Sequence, residues 1–256
     1  MNTKSVFFMI SINFLSYPIL SQNVWNPDQS MKIKSISQTD ISNDGKSVAY
    51  VVREPIMEAK KSEYLSQIWV TDIESKENFQ YTFNQKSSSS PKFSPDGKKI
   101  AFLSSRSGKN QIWIINTLGG EARVLTKEKK GVRSIKWSPD GKMISFLKSD
   151  DDTEDEIKSK ENKTDVILVD KNFKYSHIYS YHLDEDTVTQ VTSGNYSVNS
   201  FDYSPNGKKI IFSHQEDTNI NTGFINTDIS VIDSDGKNLR LLVDRPGRDG
   251  NPIFSG

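Results

Sequence analysis

Several things are missing from this 256-residue chain, and each absence removes a class of function. There is no cysteine, which excludes a disulfide scaffold, a thiolate metal site and a cysteine nucleophile. Histidine occurs only three times, at His177, His182 and His214, with no close pair at metal-ligand spacing. Neither charge sign is in excess, with 33 basic against 33 acidic residues, so no global field draws the chain to nucleic acid or an anionic membrane surface. The G-x-S-x-G elbow of α/β-hydrolases, the P-loop and the Gly-rich dinucleotide pattern are all absent. The residues therefore assign no catalytic, cofactor-binding or metal-binding site to this chain.

A long hydrophobic run is also lacking, apart from the start. "MNTKSVFFMISINFLSYPILSQ" places Lys4 before an apolar stretch from Val6 to Leu20, broken by Ser11, Asn13, Ser16 and Pro18. A membrane-spanning helix needs about 20 consecutive apolar residues. The layout is that of a secretory signal peptide over residues 1–22. It predicts an exported protein, periplasmic or extracellular, with no membrane attachment after cleavage.

What is present is a repeat. "ISNDGKSVAY" at Ile41 to Tyr50, "FSPDGKKIAF" at Phe93 to Phe102, "WSPDGKMISF" at Trp137 to Phe146 and "YSPNGKKIIF" at Tyr203 to Phe212 are four copies of one decapeptide. Their glycines, Gly45, Gly97, Gly141 and Gly207, are spaced by 52, 44 and 66 residues. In the fullest copies, proline presets φ for a β-turn, Asp or Asn bonds the local backbone, and glycine takes the positive φ. The return strand puts Val48, Ile100, Ile144 and Ile210 on one face with Tyr50, Phe102, Phe146 and Phe212. Ala49, Ala101, Ser145 and Ile211 point to the other, as sheet stacked upon sheet requires.

Second hairpins follow at Gln67 to Ser75, Gln111 to Thr126, His177 to Thr192 and Asp228 to Val243. Two hairpins per repeat make a four-stranded blade, and repeats of this period in short strands indicate a propeller. The expected fold is all-β, a partial β-propeller of about four blades and the start of a fifth, over residues 23–256. The fifth copy begins at "NPIFSG", Asn251 to Gly256, where Ser255 lies 51 residues after Ser204. That ending leads us to expect an N-terminal piece of a longer protein.

Other segments read as plain structure. "SDDDTEDEIKSKENK", Ser149 to Lys163, holds six acids between Asp150 and Glu156 and reads as a solvated loop, without calcium-loop spacing. "DSDGKN", Asp233 to Asn238, falls where a hairpin turn is due. "KSSSSP", Lys86 to Pro91, reads as a polar connector between blades. His177 and His182, five apart on one strand, point to opposite faces, and His214 has no acidic partner fixed by sequence. Arg245 and Arg248 read as loop residues.

The "SPDGK…IAF" units followed by "IWIINTLGGEARVLT" resemble the propeller repeats of the prolyl oligopeptidase family of serine peptidases. They are most similar to the bacterial branch near acylaminoacyl and dipeptidyl peptidases. The opening "ISQTDISNDGKSVAYVV" and the run "TDISVIDSDGKNLRLLVDRPGRDGNPIFSG" carry the more specific likeness, since the Tol system's periplasmic propeller uses the same decapeptide. The resemblance implies a propeller that admits short peptides to a C-terminal hydrolase domain bearing a Ser-Asp-His triad, a domain absent from these residues. Paired substrate-binding glutamates of dipeptidyl peptidases find no match at Glu154 and Glu156. The alternative is a non-catalytic Tol-type propeller that binds a protein partner.

Overall fold

The computed structural model describes residues 26–58, 61–164, 173–216 and 226–255. The expected signal peptide lies outside them. The chain divides into two units, residues 1–33 and 34–256. In the first, a single turn of helix, α1 (Pro27–Met31), starts where the Asn26 side chain accepts the Gln29 N–H. No helix among the described residues is long and apolar enough to cross a membrane.

The described residues of the second unit contain four sheets, each built on four consecutive antiparallel strands. Blade 1 holds β1 (Ser35–Ile41), β2 (Ser47–Glu58), β3 (Lys61–Asp72) and β4 (Asn78–Gln80). Blade 2 holds β5 (Ser88–Phe93), β6 (Lys99–Ser104), β7 (Gln111–Asn116) and β8 (Arg123–Val124). Blade 3 holds β9 (Arg133–Trp137), β10 (Met143–Ser149), β11 (Ser176–His182) and β12 (Thr187–Gln190). Blade 4 holds β13 (Ser197–Tyr203), β14 (Lys209–Gln215), β15 (Asn226–Asp233) and β16 (Arg240–Val243), with a two-residue β17 (Gly247–Arg248) running parallel to β15. This is a partial β-propeller.

Packing between blades follows the alternation of each return strand. Ala49, Val51, Ile68 and Val70 of blade 1 pack on Ile100 and Phe102 of blade 2. The opposite face of blade 2, with Ala101, Leu103, Ile112 and Ile114, packs on Ile144 and Phe146 of blade 3. Leu147 and Ile178 then meet Ile210, Phe212 and Ile232 of blade 4. Blades 2 to 4 thus offer a bulky Ile/Phe face backwards, and blades 1 to 3 a face beginning with a smaller residue, Ala49, Ala101 or Ser145, forwards. In blade 1, Ile36 and Ile41 are 66% and 60% exposed, while Phe93 at the position equivalent to Ile41 is 8% exposed.

The decapeptide is held by one hydrogen-bonded device, repeated four times. In blade 2, the buried Ser94 hydroxyl accepts the Lys99 N–H at 2.9 Å and donates to the Asp96 carboxylate at 2.6 Å. Asp96 in turn accepts the Lys98 N–H. Ser42 with Asp44, Ser138 with Asp140 and Ser204 with Asn206 reproduce it. The turns also stack: a Cβ on Gly141 would meet Pro95, and one on Gly207 would meet Pro139 at 3.3 Å. The Asn43 amide donates to the Pro95 carbonyl.

Every first strand carries a one-residue bulge against its neighbour, which sharpens its twist. In three of them the bulge holds a non-glycine residue with positive φ: Gln38, Ser90 and Ser134, each seven residues before its turn glycine. Asn251 has a similar φ of 51° and stands four residues before Ser255, as Ser90 stands four before Ser94.

Two expectations are corrected. "KSSSSP" is no connector, because Ser88–Phe93 is the first strand of blade 2, with Ser88 wholly buried. Small hydroxyls fit the crowded inner edge, where Ser88 lies 3.4 Å from Ser104. The acidic insertion contains a helix, α2 (Glu154–Glu161), rather than only loop. Thr153 and Glu156 form a reciprocal capping box that satisfies its first N–H groups.

Candidate functional site

The first strands β1, β5, β9 and β13 are the inner edges of their blades, so residues pointing from them are the candidates for contact with a ligand. At the end bearing the decapeptide turns lies a 390 Å³ cavity lined by residues including Asp40, Asn43, Lys92, Lys136 and Trp137. Its charges are already matched. Asp40 takes Lys92 at 2.7 Å and also accepts the Phe93 N–H. Lys136 takes Asp202 at 2.6 Å, and Asp202 also accepts the Phe254 N–H at 3.3 Å. The Trp137 indole donates to the Lys92 carbonyl at 3.0 Å. All four charged residues sit five positions before a turn glycine, so this end is a wheel of inter-blade fastenings.

At the opposite end, the blade 3–blade 4 junction gathers the titratable groups. His177 is 3% exposed and lies edge-on to Tyr196, with ring centroids 5.5 Å apart. Tyr196 also stands 5.0 Å from the ring of His214. His214 faces Asp228 directly across the β14–β15 ladder, and its Nε2 lies 2.9 Å from the Ser230 hydroxyl. Burial lowers the pKa of both histidines and raises that of Asp228. His214 Nδ1 and Asp228 Oδ1 have no hydrogen-bond partner among the described residues.

A serine, a histidine and an aspartate thus meet here, but not as a nucleophilic triad. Ser230 is 3% exposed, and the imidazole nitrogen that an orienting carboxylate must hold is unbonded. The origin of the cluster is a broken clasp. In blades 1 and 2, Gln67 and Gln111 accept from Thr82 and Thr126. In blade 3, His177 lies near Thr192. In blade 4 the corresponding pair is Asp228 and Val243, which leaves the acid without its hydroxyl.

The remaining sequence candidates are occupied. In the insertion, Asp152 binds Lys130 and Lys160, which hold its pKa down to about 2. Glu156 binds Lys174 at 2.6 Å, lowering its pKa, and caps α2. Lys148 joins Glu128 and Asp151; burial works against its charge, and these acids outweigh that and raise its pKa. The insertion is therefore strapped to blade 3. His182 projects away from His177 and meets Thr189. Asp233 closes its hairpin turn and is taken by Lys209 and Asn238. Arg245 pairs with Asp249 at 2.9 Å, and Arg248 lies in β17.

One cation went unnoticed in the sequence. Arg133 opens β9, and its Nη2 donates to Ser176 Oγ at 2.8 Å and to the Val198 carbonyl at 3.3 Å, joining the inner strands of blades 3 and 4. Burial lowers its pKa, and no carboxylate among the described residues pairs with it.

Stacked four-stranded sheets, fastened along their inner edges, define the chain as a β-propeller protein. The family model for the TolB beta propeller domain, PD40, matches residues 42–169, half of the sequence, and the chain belongs to this family. Over 81 residues it is 32% identical to a curated Bacillus subtilis protein described as the uncharacterized peptidase YuxL, covering 32% of this chain and 12% of that relative. Among solved structures, the Pyrococcus horikoshii acylaminoacyl peptidase matches with a TM-score of 0.64 at 21% identity, over 86% of this chain and 34% of that one. TolB from Acinetobacter baumannii matches with a TM-score of 0.52 at 17% identity, over 86% and 57%. The chain thus spans about a third of the length of the peptidase structure it matches.

Proposed function

We propose that this chain is the N-terminal propeller portion of an exported serine peptidase that hydrolyses short peptides. In this reading the propeller governs access while a separate hydrolase domain performs acyl transfer. The observation that carries it is the higher TM-score with the acylaminoacyl peptidase propeller than with TolB, 0.64 against 0.52 over the same 86% of the chain. The similarity to a second peptidase in sequence supports it. The occupied Asp40–Lys92 and Lys136–Asp202 pairs are consistent with such a role, because they brace the inner edges of a filter. Treating the full product of the gene with a fluorophosphonate probe tests this proposal. Covalent labelling, abolished by prior incubation with a competing acyl-peptide substrate, is the expected result; no labelling overturns it.

The second reading, a binding propeller for a protein partner, is favoured by the family model itself. It predicts no fluorophosphonate labelling and a stable complex recovered with an exported or periplasmic protein.

A further inference from the structure

The end of blades 2 and 3 away from the decapeptide turns holds a 330 Å³ pocket lined by residues including Lys109, Asn110, Lys130, Gly131, Arg133 and Ser149. Three cations line it and no acid does. Lys130 is neutralised by Asp152. The nearby Glu128 is taken by Lys148. Lys109 and Arg133 have no carboxylate partner among the described residues.

Arg133 is the unusual member. It is exposed to solvent and has a fixed guanidinium without a carboxylate beside it among the described residues. Here its Nη2 is instead fixed by two neutral oxygens, Ser176 Oγ and the Val198 carbonyl. Those bonds set the plane of the group and leave Nε and Nη1 without an acceptor among the described residues. A fork with one tine anchored and the others free is arranged for a planar, bidentate oxyanion.

The wall is built rather than accidental. Gly131 has φ +79°, and a Cβ there would lie 3.1 Å from the Asn110 carbonyl. That carbonyl accepts the Val132 N–H at 2.8 Å, so the β8–β9 connector is drawn tightly against the residue preceding β7. The close approach sets Lys109 and Arg133 on one pocket.

We propose that this pocket is an oxyanion site and that it receives the terminal carboxylate of a short peptide entering along the inner strands. The peptide assignment rests on the function proposed above; the oxyanion chemistry rests on Arg133 and Lys109 alone. A volume of 330 Å³ is at the small end of the range for ligand pockets, about 300–1,000 Å³, and suits a chain end rather than an extended segment.

The experiment is calorimetric titration of the full gene product, its nucleophile blocked with fluorophosphonate if it labels. The ligands are an N-acetyl dipeptide acid, the same dipeptide as its C-terminal amide, and inorganic phosphate. The acid is expected to bind at least about ten-fold more tightly than the amide, the scale of a charge-assisted hydrogen bond, and to weaken with added salt. Arg133→Gln is expected to reduce the acid to the affinity of the amide, and Arg133→Lys to retain part of the preference. Because Arg133 also ties two blades together, Lys109→Gln serves as a second variant; it is expected to weaken the acid several-fold with an unchanged melting temperature. Equal binding of acid and amide, or an acid preference that survives both Arg133→Gln and Lys109→Gln, overturns the proposal. Binding of phosphate without the peptide acid overturns the peptide assignment. Fluorophosphonate labelling is read separately, so loss of the peptidase reading and loss of this site are distinguishable.

Discussion

Replacing Ser94 with alanine tests the turn device where it is simplest, because the chain carries its own control. Ser94 Oγ satisfies the Lys99 N–H and donates to Asp96. Its removal leaves a part-buried N–H without its acceptor, a loss of about 1–3 kcal/mol. A second effect depends on pH. The Asp96 pKa is lowered first by the Ser94 hydroxyl and then by the Lys98 N–H. A carboxyl depressed in the folded state adds stability above its unfolded pKa and loses it as pH falls through the folded value. The Ser94→Ala variant forfeits part of that contribution, so its deficit is larger at neutral pH than near about pH 2. In blade 4 the same bonds are made to Asn206, which does not titrate. Ser204→Ala is therefore expected to show a similar loss with no such pH dependence. Urea unfolding of both variants at the two pH values reads the difference, and carbon NMR titration reads the Asp96 carboxyl directly. An Asp96 pKa unmoved by Ser94→Ala, or matching pH dependence in the two variants, refutes the reasoning.

Gly97 and Gly207 share a φ near +70°, but only Gly207 faces a neighbouring turn, with Pro139 3.3 Å from a built Cβ. Gly97→Ala is expected to lose about 1–2 kcal/mol from backbone strain, and Gly207→Ala more, by urea unfolding; equal losses refute the stacking. Tyr203→Phe removes a hydroxyl 2.6 Å from Ser145, which stays bonded to Ser180, so a loss of only about 0.5–1.5 kcal/mol is expected. Asp228, whose pKa is raised by burial, destabilises the fold once ionised. Asp228→Asn is thus expected to raise the melting temperature at neutral pH, with the gain fading below the ordinary aspartate pKa of about 3.9. A gain that persists in acid counts against the burial of charge as its cause.

The parts legible in the sequence were those whose chemistry is local. Ser94, Asp96 and Gly97 lie within four residues, so one turn's hydrogen bonds and φ requirement write themselves into a contiguous motif. The bulges at Gln38, Ser90 and Ser134 left no mark, since none is glycine and their φ is imposed by the ladder. Helix α2 did have a local sign, Thr153 and Glu156 at capping-box spacing, which the charge of the segment obscured. Ser88–Phe93 looked like a connector because polar residues are poor predictors of a strand whose crowded inner edge favours small side chains. The site was harder still. His214 and Asp228 are joined only by the register of β14 and β15, and Arg133 is recognisable only once Ser176 and Val198 are beside it.

Three of the fastenings at the inner edge share a direction. Asp40 holds the Phe93 N–H of the following blade, the Lys92 carbonyl holds Trp137, and Asp202 holds the Phe254 N–H. In these three the acceptor belongs to the earlier strand and the donor to the later one, while Lys136 to Asp202 and Arg133 to the Val198 carbonyl run the other way. A finished blade therefore displays hydrogen-bonding partners, and a forward face, on which the next stretch of chain settles. Assembly in the order of synthesis asks only that one neighbour be present, as the nearest-neighbour character of repeat arrays allows.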